Sequence, residues 1–92
     1  MNVQVFNETI SIIMEVLQKH HKEFGREIQG NVLLKDDLGL DSIDLVILQV
    51  ELEDKFRIRF EPLEDNFSKI FYSIKTLCDC LEKKIGENNG YQ

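Results

Sequence analysis

Asp36-Asp37-Leu38-Gly39-Leu40-Asp41-Ser42-Ile43-Asp44-Leu45-Val46-Ile47-Leu48-Gln49-Val50-Glu51-Leu52-Glu53-Asp54-Lys55-Phe56 reads as a turn opening directly into an amphipathic helix, with one serine at the junction. Gly39 lets the backbone reverse, because it carries no Cβ penalty at positive φ. Asp41 is a favoured N-cap type, and Asp44 three residues on completes a capping-box pattern with Asp in place of Glu or Gln. Ser42 then falls at the first helical position, its hydroxyl not consumed by capping and pointing outward. Leu45, Leu48, Leu52 and Phe56 recur at helical spacing and form one apolar face. Asp44, Glu51, Glu53 and Asp54 make the other face acidic. From Asp36 to Asp54 there is no Lys or Arg, so the serine sits in a concentrated negative field.

Upstream, Phe6, Ile10, Ile13 and Leu17 predict a helix from about Phe6 to His21, with Asn7 as its cap and Glu8 in the first turn. Lys19-His20-His21-Lys22 suits the negative end of the helix dipole. Adjacent histidines lie about 100° apart on a helix, and spacing positions no further ligand, so a solvated helix end is the better reading than a metal site. Gly25 to Lys35 reads as a long loop held across the helices by Ile28, Val32, Leu33 and Leu34.

Downstream, Arg57-Ile58-Arg59-Phe60-Glu61-Pro62 alternates like a short strand. A lone strand would leave its backbone groups unpaired, so an extended connector with Ile58 and Phe60 in the core is expected. Glu64 to Phe71 should hold a short helix after Pro62. Ser73 is the expected cap of a last helix from Ile74 to about Ile85, with Ile74, Leu77, Leu81 and Ile85 inward. Gly86 should end it and leave 87–92 as a frayed tail. Cys78 and Cys80 point to nearly opposite sides of a helix, one to the core and one to solvent, both reduced. Amphipathic stripes must be buried against each other. The expected fold is therefore all-α: a small bundle of three longer helices and one short one, forming a single domain over residues 1–92.

The chain has 92 residues, 42% of them hydrophobic and 30% charged, which suits a small globular domain. A net charge of −6 opposes nucleic-acid binding and favours basic partners. Apolar runs are too short for a membrane span and no signal peptide is evident, making the cytoplasm the default expectation.

A nucleophilic serine needs a base within reach and an oxyanion hole. His20 and His21 are expected at the far end of another helix, and the dense carboxylates oppose a developing oxyanion; catalysis does not fit, and the chain is not expected to be an enzyme. A calcium loop fails on spacing, since no glycine stands sixth from Asp36 or Asp37 and Ile47, not Glu, stands twelfth from Asp36. A plain helical adaptor would explain the capping but not the free serine among acids.

The run Asp37-Leu38-Gly39-Leu40-Asp41-Ser42-Ile43-Asp44-Leu45-Val46, continuing to Leu52-Glu53-Asp54-Lys55-Phe56, resembles the carrier motif of the acyl carrier protein family. The resemblance implies a 4′-phosphopantetheine arm on Ser42, beside Asp41, holding acyl groups as thioesters. It implies that Ile43, Asp44, Val46, Ile47, Glu53 and Asp54 line the face that partners recognise. Those partners would be a phosphopantetheinyl transferase and acyl-loading, condensing and acyl-transfer enzymes with basic docking surfaces, meeting a monomer. Two departures from the family stand out, one at Ile47 and one at the pair Arg57 and Arg59. Ile47 stands where many fatty-acid-type carriers have glutamate, and Arg57 and Arg59 occupy an often acidic spot. Fatty acid, polyketide and aminoacyl or peptidyl roles stay open, as does the adaptor. Met1 and the short tail lead to the expectation of a freestanding carrier rather than a piece of a synthase.

Overall fold

Asn2 opens the first helix. Its side chain accepts a hydrogen bond from the Val5 amide at 3.1 Å, and α1 runs Val3–Lys19. The computed structural model describes residues 2–20, 22, 24–25 and 27–89, with backbone alone at 88 and 89. Four helices follow one another: α1, then α2 (Ser42–Phe56), the short α3 (Phe67–Ile70) and α4 (Ile74–Asn89). The expected cap at Asn7 is corrected. Asn2, of the same capping chemistry, sits upstream in extended backbone, and Val5 and Thr9 then join Ile12, Ile13, Val16 and Leu17 on the buried face. Thr9 is tolerated inside because its hydroxyl donates to the Val5 carbonyl at 2.7 Å. His21 lies outside the described residues.

α1 packs on α2 and α4, and α3 packs on α4. The shared core is aliphatic, with Ile13, Leu17, Leu34, Leu48, Leu52, Ile74, Leu77 and Leu81 among its fully enclosed side chains. The long loop between α1 and α2 lies down as its apolar anchors predict, with Val32 and Leu34 buried. It is also tied by its backbone. Leu33 and Ser73 form an isolated antiparallel bridge, in which the Leu34 amide donates to the Tyr72 carbonyl and the Ile74 amide to the Val32 carbonyl, each at 3.0 Å. After α2 the chain turns at Arg57, in the left-handed conformation at φ 55°. Ile58 and Phe60 then enter the core as expected. Phe60 meets Phe71 and Phe67 at ring-centre distances of 5.3 and 6.2 Å, which seats α3. Ser73 caps α4, its hydroxyl accepting from the Thr76 amide at 3.2 Å.

Two expectations about the last helix change. Gly86 does not end it, and the helix continues to Asn89. Glycine permits a left-handed cap but does not impose one, and in a helix interior it costs only about 1 kcal/mol against alanine. The expected tail therefore begins as helix, and residues 90–92 lie outside the described ones. Cys78 is buried as expected, but Cys80 is half-buried against the core rather than exposed. Burial pushes the Cys78 thiol up to about 11, so it is an inert core group.

Removing the Leu52 side chain beyond Cβ, at a fully enclosed core position, should cost about 2–5 kcal/mol, read as a lower urea midpoint at unchanged slope. A second expectation concerns Asp65, which pairs with Lys84 of α4 at 2.9 Å and accepts from the Glu61 amide at 2.6 Å. Burial pushes its carboxyl up, but the Glu61 amide and Lys84 outweigh it and hold it below 3.8. The stability this lends is therefore present above 3.8 and is lost as pH falls through the depressed folded value. Asp65→Asn should destabilise at neutral pH in urea titrations, and its difference from the parent should shrink on acidification.

Candidate functional site

The α1–α2 loop reaches α2 through a tight turn in which Leu38 and Leu40 are both buried. Leu38 and Leu40 face the core from either side of Gly39, whose backbone takes the left-handed conformation at φ 71° that glycine adopts without a Cβ penalty. The Leu40 amide returns to the Leu34 carbonyl at 3.1 Å, closing the turn. Helix α2 then starts with the reciprocal capping box the sequence predicts. The Asp44 amide donates to Asp41 Oδ1 at 2.8 Å and the Asp41 amide to Asp44 Oδ2 at 3.0 Å. Ser42 occupies the first helical position, exposed to solvent. Among the described residues no hydrogen bond holds its hydroxyl.

Asp44 does not lie on the outer acidic face where the sequence put it. Its side chain is 0% exposed and pairs with Lys22 at 2.6 Å and with His20. Burial pushes this carboxyl up, but the Lys22 ammonium, the Asp41 amide and His20 together hold it below the usual carboxylate range. His20 is therefore not a solvated helix end remote from the serine: it caps α1 and turns its ring to the first turn of α2. Lys22 was expected only as part of that solvated basic helix end, not as a neighbour of the serine. Its ammonium also reaches the Gly39 carbonyl at 2.8 Å and Asp41 at 3.9 Å, and the bond to Asp44 chiefly raises its pKa. The one signal in the sequence was opposite charge, a basic cluster closing one helix and an acidic run with no cation of its own opening the next.

The outer side of α2 carries an apolar stripe. Ile43, Val46 and Val50 are 69, 59 and 56% exposed. Val50, at helical spacing from Val46, was not singled out beforehand; Ile47, which was, turns partly inward onto the core. Asp54 is exposed, whereas Glu53 is half-buried and accepts from the Phe60 amide at 2.9 Å. Arg57 and Arg59 border the same end of α2 with Glu53 and Asp54, so charge of both signs lines that rim. On the other side of Ser42 lies a groove of about 390 Å³, walled by Leu45 and Val46 of α2, Leu33 of the loop, and Phe67, Phe71 and Tyr72 around α3. Among the described residues no His, Cys, Asp and Glu side chains gather to hold a metal ion. Among the described residues no hydrogen bond joins His20 to Ser42.

Comparison with known proteins bears on this arrangement. No family model matches the chain. A curated acyl carrier protein from Thermotoga maritima is 31% identical over 83 residues, covering 90% of this chain and 94% of that protein. One from Exiguobacterium sibiricum is 39% identical over 54 residues, covering 54% of this chain and 67% of that protein. The crystal structure of an acyl carrier protein from Thermotoga maritima superposes with a TM-score of 0.69 at 30% identity, covering 95% of this chain and 98% of that one. With one relative matching nearly end to end at 31% identity and a solved structure of similar fold, the chain belongs to the acyl carrier protein family.

Proposed function

We propose that this chain holds acyl groups as thioesters on a 4′-phosphopantetheine arm attached at Ser42, and presents them to partner enzymes of fatty acid or polyketide biosynthesis. The observation that carries the reading is a serine at the start of α2, exposed and released from capping by its neighbours. The residues fit such a group. The first turn of α2 offers the positive end of the helix dipole to a phosphodiester. Lys35 lies beside Ser42 along the groove, and Lys22 neutralises the carboxylate below it. When attached, the arm supplies a thiol on which an acyl group is activated for transfer. The chain itself holds the attachment point rigid and keeps it accessible. The groove beside Ser42 has apolar walls that suit an acyl chain or the arm's own stem.

The docking face in this reading is the stripe Ile43, Val46 and Val50 with Asp54 and Glu53 on its rim. An apolar centre of that size with screened charges around it suits fast, weak and repeated encounters. Asp44 has no part in this face, because its carboxylate is turned inward. Ile47 contributes only its outer edge. Among the described residues no helix is long and apolar enough to cross a membrane.

Incubation with coenzyme A and a broad-specificity phosphopantetheinyl transferase should add one arm to the chain by intact mass, and Ser42→Ala should gain none. A chain that stays unmodified would leave a helical adaptor docking through the α2 stripe. Charge reversal Asp54→Lys should lower kcat/KM for the transferase at low ionic strength, with the two proteins converging towards about 1 M salt, where charges are screened within about 3 Å. A loss that is the same at every ionic strength would remove Asp54 from the docking rim.

A further inference from the structure

Lys22 lies just beyond α1, its own amide bonded to the Leu17 carbonyl at 2.8 Å, so its backbone is seated on the end of that helix. Its ammonium contacts oxygens on both sides of the serine: the Gly39 carbonyl at 2.8 Å before it and Asp44 Oδ2 at 2.6 Å after it, with Asp41 Oδ2 at 3.9 Å. The run from Asp36 to Asp54 holds no cation, so this charge has to come from elsewhere in the chain. We propose that Lys22 is a positioning residue for the modification of Ser42, gathering the turn and the first turn of α2 onto the end of α1 so that the serine hydroxyl keeps one direction relative to the docking stripe. This rests on Ser42 being the attachment point.

The physical route is short. Asp44 Oδ2 accepts both the Lys22 ammonium and the Asp41 amide. Removing Lys22 leaves an enclosed carboxylate with His20 as its remaining ion-pair partner, and a buried carboxylate short of partners turns towards water. Once it turns, the Asp41 amide loses its acceptor and the start of α2 frays, with Ser42 at the first position to move. Val46 and Val50 lie further along the helix and keep their places. Docking is then retained while the reacting oxygen is mispositioned, and small misplacements of a reacting atom are costly in rate.

The test is steady-state modification by a phosphopantetheinyl transferase and coenzyme A for the parent chain, Lys22→Met and Lys22→Arg, alongside amide hydrogen exchange at Asp44 and urea stability. For folded Lys22→Met, kcat should fall on the order of tenfold with KM for the carrier nearly unchanged, and the Asp44 amide should exchange faster than the change in global stability accounts for. Lys22→Arg keeps the charge but cannot gather these oxygens on one nitrogen, and its kcat should lie between the two. If Lys22→Met does not fold, Lys22→Arg decides: a reduced kcat at unchanged KM supports positioning, and a kcat equal to the parent's overturns it. Unchanged kcat in folded Lys22→Met overturns the proposal, as does a raised KM at constant kcat, which would make Lys22 a docking residue. A parent chain that gains no arm overturns the Ser42 reading and this proposal with it, whereas a modified parent with indifferent variants overturns the proposal alone.

Discussion

A carboxylate sealed from water is costly unless it is paired with opposite charge, and Asp44 is the point at which this fold meets that cost. One oxygen takes the Asp41 amide and the Lys22 ammonium, and the other faces His20. The same side chain therefore closes a helix cap, draws the Lys22 ammonium to an acidic turn and joins the end of α1 to the beginning of α2. Because Asp41 and Asp44 satisfy each other, the serine between them has no structural duty. Its exposure is a consequence of what its neighbours do.

Helix α2 is divided accordingly. Its inner side, with Leu48 and Leu52, belongs to the aliphatic core, and its outer side presents Ile43, Val46 and Val50 to solvent. Ser42 stands where these two sides and the groove beside α3 meet. A surface of this kind presents an exposed hydroxyl between an apolar stripe and a groove. It is suited to carrying a group and being recognised while carrying it, as membership of the acyl carrier protein family implies. Arg57 and Arg59 at the far end of α2 set positive charge beside Glu53 and Asp54.

The most local features were the most legible in the sequence. The Asp41–Asp44 cap, the freedom of Ser42 and the burial of Ile58 and Phe60 each depend on residues within a few positions of one another, where helix geometry and periodicity suffice. The inward turn of Asp44 was not legible, because helical spacing places a residue on a face but does not say what long side chain arrives from elsewhere to cover it. Lys22 reaches it from across a long loop, and no periodicity links the two. The Asn7 and Gly86 assignments failed for a different reason. Each residue type permits a helix boundary without imposing one: Asn2 begins α1 ahead of the buried Val5 and Thr9, and α4 runs through its glycine to Asn89. Val50 escaped notice because an exposed valine on a helix has no signature apart from its neighbours.

The bridge between Leu33 and Ser73 carries a consequence for the order in which the molecule matures. It pairs segments far apart along the chain, and contacts of that kind form only after the intervening loop has been closed at an entropic cost. The strands of backbone it fastens lead straight into the Gly39 turn, so a nascent polypeptide lacking α4 has no anchor on one flank of its serine.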